Sequence, residues 1–145
     1  MIFTCITATL TLYVNLYHMT IFEKIVAGKI PCRKVWDSET HLAILDINPL
    51  VPGHTLVIPK RNVGDELFEL SDADFDALMH TSKIVAALLK KKLDVKRIMV
   101  AVEGFEVPHV HVHLLPMTEE RSIRSLERRE MSDQQFDEIL KKIHE

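Results

Sequence analysis

Apolar and polar positions recur along this chain with two different periods. In residues 20–27, TIFEKIVA, the positions Ile21, Phe22, Ile25 and Val26 form one helical stripe. Thr20 stands where an N-cap belongs, and Gly28 supplies a stop. Pro31 then imposes extended chain. RKVWD (33–37) and HLAILD (41–46) read as two strands around a polar turn at 38–40. INPLVPG (47–53), with two prolines and a glycine, reads as a loop, and HTLVIP (54–59) as a buried strand. The helical period returns over 71–93, where Phe75, Leu78, Ser82, Val85, Ala86, Leu89 and Leu93 share a face behind a Ser71/Asp74 cap. KRIMVAVE (96–103) and HVHVHLL (109–115) are further strands. Ser132 and Gln135 make a capping box for a last amphipathic helix carrying Phe136, Ile139, Leu140 and Ile143. The charged stretch 117–130 keeps neither period and reads as a solvated tail or linker.

Helix, strands, helix, strands, helix is the resulting order. Strands joined by short turns pair antiparallel, so the class is α+β, with an antiparallel sheet, two main helices and a C-terminal helix. The 145 residues suffice for one domain with a sizeable core. The periodic elements place that domain at 19–116 and a C-terminal tail and helix at 117–145. Residues 1–18 are apolar but interrupted by threonines and Asn15, with no Lys or Arg before Lys24. That pattern fits neither a secretory signal nor a transmembrane helix. Because MTIFEKIVAGKIP makes a natural start, residues 1–18 are expected to be an extension outside the fold. A weak membrane anchor or an extra edge strand are the other readings.

Charge and cysteines narrow the function classes. A net charge of -3 argues against a nucleic-acid binder that works through a broad basic surface. Cys5 and Cys32 form neither a C-x-x-C pair nor a zinc spacing, so a reducing, cytoplasmic setting is expected. The chemistry concentrates in PHVHVHLLP, residues 108–116. On a strand, His109, His111 and His113 project to one face, while Val110, Val112 and Leu114 project to the other. Three rings in register are hard to explain as packing, because each buried ring needs hydrogen-bond partners. Two chemical readings remain. The rings could bind zinc, although three Cα atoms spread over about 13 Å converge poorly on one ion. Alternatively, one imidazole attacks phosphorus while the others orient it or hold the anion.

PHVHVHLLP resembles the motif of the histidine triad (HIT) superfamily: His, apolar, His, apolar, His, two apolar. IFEKIVAGKIP (21–31) is similar to that family's opening helix and turn. LAILDINPLVPGHTLVIPK (42–60) is similar to its nucleoside-binding strand, loop and return strand, with His54 at the place of a fourth active-site histidine. The resemblance implies a compact α+β domain that pairs as a homodimer and acts on a purine nucleotide or nucleotide conjugate at the α-phosphorus. Neither nucleic acid nor membrane is an implied partner. It makes His111 the nucleophile that forms a nucleotidyl-histidine, His109 its positioning neighbour, and His113 and His54 the groups facing the phosphate. Asp46 matches the ribose ligand, and Phe22, Ile44 and Ile47 the apolar nucleoside pocket. For those three, core packing is the alternative, and for Asp46 a turn role before Asn48–Pro49. Some relatives carry a structural zinc held partly by N-terminal cysteines. Here that stretch reads TIFEKI, so no metal or other cofactor is expected.

Two departures matter. Many relatives carry Gly-Gln-polar-Val before the triad, where this chain has Gly104, Phe105, Glu106 and Val107, and a family Asn is not evident in RIMVAVE. Glu106 either faces the triad as a leaving-group acid or points to solvent. The implied activity is hydrolysis or transfer on a nucleoside phosphoramidate, nucleotidyl conjugate or dinucleoside polyphosphate. The rivals are a non-catalytic nucleotide-binding or scaffold protein, and a metalloenzyme built on His109, His111 and His113.

Overall fold

The computed structural model describes residues 19–145, so the readings of residues 1–18 lie outside the described residues. The elements are α1 (Ile21–Val26), β1 (Lys34–Asp37), β2 (His41–Leu45), β3 (Thr55–Pro59), α2 (Asp72–Lys92), β4 (Arg97–Ala101), β5 (Val112–Met117) and α3 (Asp133–His144). Five antiparallel strands make one sheet in the order β1-β2-β3-β5-β4. The class is the α+β one that the periodicities predict. No helix among the described residues is long and apolar enough to cross a membrane.

Alternation sorts each strand between two covered faces. One face carries Ala43, Leu45, Val57, Val112 and Leu114, which pack with Leu78, Val85 and Leu89 of α2 and Phe136 and Ile143 of α3. The other carries Leu42, Ile44, Leu56 and Ile58, which pack with Phe22 of α1. His113 sits opposite Leu56 in the β3–β5 register, so it belongs to this second face. Farther along the same face of β5, Leu115 and Met117 cluster with Val51. The histidine face is thus the one that the two long helices leave free.

Caps form at the expected places. Thr20 and Glu23 close a full capping box on α1, and Ser132 and Gln135 close one on α3. Ser71 caps α2 by accepting from the Asp74 amide, while its hydroxyl donates to the Asp74 carboxylate at 2.8 Å. That carboxylate is engaged by the side chain it should release, so the reciprocal half of a box is not made.

Two expectations change. The strand expected over 109–115 is hydrogen-bonded as Val112–Met117 instead. Pro108 has no amide to donate, and the Val110 amide turns to the Gly64 carbonyl at 2.7 Å rather than to a neighbouring strand. Pro116 nevertheless sits inside β5. The β3 ladder ends at Thr55↔Leu114, so beyond it β5 is an edge on that side and tolerates a missing donor. The second change is the segment 117–130, expected to be a solvated tail. Leu126 packs beside Leu50 on the Val51, Leu115, Met117 cluster, and the Arg129 amide donates to Pro49 at 2.8 Å. The segment is therefore strapped across the histidine face.

Beyond that strap, α3 is part of the main core. Arg33 lies 4.4 Å from the Phe136 ring centre and pairs with Asp133. Phe136→Ala should cost about 3–5 kcal/mol of stability, as for a core aromatic. Urea unfolding reads it directly, and a midpoint equal to wild type would mean that α3 is a detachable tail.

Candidate active site

The site is built on one row of rings. Phe22 lies edge-on to His111 with centroids 4.9 Å apart, His111 is 4.8 Å from His113, and His113 is 5.2 Å from His54. His54 comes from the loop that joins β2 to β3. Gly53, just before it, has φ +81°, a conformation that strains any other residue, and a Cβ there would also crowd Leu93 Cδ1 at the C-cap of α2. His54, His109 and His111 are buried, and His113 is partly exposed.

Backbone groups determine which nitrogen of each ring carries its proton. The Leu50 amide donates to His54 Nδ1 at 3.2 Å, so that nitrogen is an acceptor and the proton sits on Nε2. His54 Nε2–H then donates to His113 Nδ1 at 2.9 Å. The neutral His113 ring must therefore carry its proton on Nε2, a buried atom with no partner among the described residues. In the other half of the row, His109 Nε2–H donates to the Pro59 carbonyl at 2.8 Å. His109 Nδ1 is left to accept from the Thr20 hydroxyl at 3.2 Å. The carbonyl of His109 accepts His111 Nδ1–H at 2.8 Å, which leaves the lone pair of His111 on Nε2. The outcome is one free lone pair beside one free N–H donor.

Burial keeps the supporting rings neutral. Desolvation lowers His54 from 6.5 to about 4, with Asp46 opposing and His113, Arg128 and His111 reinforcing. Burial likewise lowers His113, with His111 next, and lowers His109 against the Pro59 bond. Asp46 Oδ2 lies 3.5 Å from His54 Nδ1, which would be an ion pair only if that ring were charged. A nitrogen that accepts from the Leu50 amide has no proton to give, so this approach is a contact between a carboxylate and a neutral ring.

The remaining sequence candidates divide. Phe22 and Ile44 are buried together, and Ile47 is exposed nearby in the chain. Asp46 Oδ1 accepts the Asn48 amide at 2.9 Å, which is the turn role, and leaves Oδ2 for another partner. Glu106 does not turn onto the rings. Its side chain is 76% exposed and pairs with Arg128 at 3.0 Å, so the acid role loses its motive. Phe105 is also exposed. The metal reading on His109, His111 and His113 loses a ligand, because both ring nitrogens of His109 are engaged, Nε2 by the Pro59 carbonyl and Nδ1 by the Thr20 hydroxyl. Three possible ligand atoms do gather within 4.8 Å on Asp46, His54 and His113. An ion there would have to displace the hydrogen bond between the two rings. Cys32 is the one cysteine among the described residues, so a cysteine-held zinc has no pair of thiols there.

A family model described as the HIT domain matches residues 27–120. The chain belongs to the HIT family. An uncharacterised HIT-like protein of Methanocaldococcus jannaschii is 37% identical over 129 residues, covering 86% of this chain and 98% of that protein. An adenosine 5'-monophosphoramidase of Schizosaccharomyces pombe is 39% identical over 101 residues, covering 69% of this chain and 75% of the relative. Among solved structures, a Hit-like protein involved in cell-cycle regulation from Bartonella henselae matches with TM-score 0.74 at 28% identity, covering 86% of this chain and 93% of that one. A Zn-bound histidine triad family protein from Mycobacterium smegmatis matches with TM-score 0.68 at 26% identity, covering 86% and 92%. Membership brings the coarse function with it: a nucleotide-binding protein of hydrolase type.

Thr20, Leu50, Pro59 and Arg128 are the contributors that sequence reading misses. Thr20 is legible as a cap, but nothing local announces that its hydroxyl meets a ring 89 positions away. The Leu50 amide and the Pro59 carbonyl are backbone groups with no residue signal at all.

Neutral buried rings make stability depend on pH. The unfolded His54 ring takes its proton near 6.5 and the folded ring only near 4, so the unfolded state binds more protons between those values. Stability is full above 6.5 and falls as pH falls toward 4, by about 3 kcal/mol for this ring. Urea midpoints at neutral and acidic pH should show the slope, and His54→Gln should flatten it. Equal slopes in both proteins would mean that His54 is not held neutral.

Proposed function

We propose that this HIT protein is a nucleotide hydrolase or transferase that cleaves at the α-phosphorus through a nucleotidyl-histidine intermediate on His111. The observation that carries the reading is the lone pair on His111 Nε2 beside the unpartnered N–H of His113. Attack forms an Nε2–P bond, and the bond from phosphorus to the leaving group breaks with its electron pair. Water then attacks phosphorus, the P–N bond breaks, and the pair returns to Nε2 as a nucleoside monophosphate departs. His113 Nε2–H donates to a phosphate oxygen as charge develops, with His54 holding its ring in that tautomer. His109 acts as a positioning residue, through its carbonyl on His111. Asp46 Oδ2 serves the ribose hydroxyls, with Phe22, Ile44 and Ile47 along the nucleoside. Similarity to the fission-yeast monophosphoramidase supports an adenosine nucleotide conjugate as the substrate. We place this activity in the cytoplasm, on the cysteine usage.

A homodimer belongs to the same proposal. β1 is flanked by α3, whereas β4 ends the sheet at its other side with Val100 52% exposed. An apolar edge strand left bare invites pairing, and a second copy of β4 would satisfy it.

His111→Ala should abolish turnover and leave no labelled protein after mixing with an adenosine phosphoramidate labelled in its AMP portion. His54→Ala should retain labelling but slow it by about 10²–10³. Nucleotide binding by wild type with no label on His111 would favour a non-catalytic binding protein instead. Sedimentation at micromolar concentration should give twice the chain mass, and a single-chain mass would remove the β4 pairing.

A further inference from the structure

The strap across the histidine face carries three arginines, and their placement reaches beyond the chemistry derived above. Leu50, Leu126, Arg121, Arg128, Arg129 and Glu127 line a cavity of about 300 Å³. The cavity adjoins the rings through Leu50, whose amide donates to His54. Arg128 stands across the mouth between two loops. One of its terminal nitrogens donates to the Asn48 carbonyl at 3.4 Å, the other to Glu106 at 3.0 Å. Its positive charge acts on both His54 and His113. Arg121 and Arg129 form no ion pair among the described residues. With Glu127 in the lining and Glu106 on Arg128, three guanidiniums meet two carboxylates and leave a positive excess, and guanidinium forks match phosphate oxygens two at a time.

We infer that Arg121, Arg128 and Arg129 seat an anionic leaving group, so that this site takes a nucleotide joined to further phosphates in preference to one joined to an amine. The inference rests on the His111 reading and names the substrate class for it. The state of the rings agrees. An amine leaves as a neutral molecule only after gaining a proton, and His54 and His113 are held neutral while Glu106 is tied to Arg128. A phosphate leaves as an anion and needs no proton. When Nε2 bonds to the α-phosphorus, the electron pair of the breaking P–O bond stays on the bridging oxygen. That oxygen becomes a terminal oxygen of the departing polyphosphate, which the arginines already hold.

The test compares kcat/KM for a dinucleoside polyphosphate and for an adenosine phosphoramidate on the full chain. Wild type should prefer the polyphosphate. Arg121→Gln with Arg129→Gln should cut that preference by about tenfold or more, the loss expected for charge-assisted hydrogen bonds. Arg128→Lys should cut it less than Arg128→Gln, because it keeps the charge and loses the fork. Inorganic tripolyphosphate should inhibit wild type competitively, which keeps the idea testable if a variant fails to fold. A wild-type preference for the phosphoramidate, a preference unchanged in the variants, or no inhibition by tripolyphosphate would overturn the inference. Label transfer from the phosphoramidate to His111 is read separately. Its presence alongside any of those results would sink the arginine seat while sparing the nucleophile.

Discussion

Fixed main-chain groups set the polarity of this site. The Leu50 N–H occupies one nitrogen of His54 and thereby dictates the proton position on His54 and then on His113. The Pro59 and His109 carbonyls do the same for His109 and His111. Main-chain groups cannot rotate or titrate near neutral pH, so the two ring chains are polarised before any ligand arrives. An imidazole free to exchange tautomers would present its lone pair only part of the time. Here the alternative tautomer of His111 would set a bare nitrogen against a carbonyl oxygen and lose a buried hydrogen bond, typically about 1–3 kcal/mol.

That arrangement needs every layer of the fold. The two sheet faces are sorted by strict alternation, so Val110, Val112 and Leu114 anchor the histidine segment against α2 while the rings face the other way. Because the β3 ladder covers only Val112–Leu114, the Val110 amide bonds to Gly64 and the His109 carbonyl is left to accept His111 Nδ1–H. Thr20 joins the two levels. Its hydroxyl accepts the Glu23 amide as a helix cap and donates to His109, so the start of α1 and the orientation of a site ring are one hydrogen-bonded unit.

Local periodicity made much of this legible. The α1, α2 and α3 stripes, their caps and the turn-linked strands are properties of ten or twenty neighbouring residues, and they form where those residues predict. The alternation of histidine with valine placed three rings on one face, although the ladder starts only at Val112. The rest depends on partners distant in sequence. The charged stretch 117–130 has no period, so nothing local says that Leu126 finds an apolar cluster or that Arg128 meets Asn48 and Glu106. Glu106 shows the same limit. Its departure from the family pattern was visible in the sequence, but its partner lies 22 residues ahead on the strap.

In the proposed reaction, the fixed tautomers and the desolvation of His54 and His113 act on both sides of the phosphorus. On the attacking side the fixed tautomer is an advantage, because the Nδ1–H bond to the His109 carbonyl keeps the lone pair of His111 on Nε2. On the leaving side the desolvation is a constraint, because in lowering His54 and His113 it removes them as proton donors near neutrality. A site can escape that constraint by adding a separate acid or by taking leaving groups that depart as stable anions. The loop that precedes the triad carries two carboxylates, Glu103, whose charge acts on His113, and Glu106, which is bound to Arg128. Pairing Glu106 with an arginine removes an acid and fixes a cation in the same step. The ion pair also links the strap to the loop before the triad, so the segment that Leu126 and the Arg129 amide anchor beside the rings brings a charge to them.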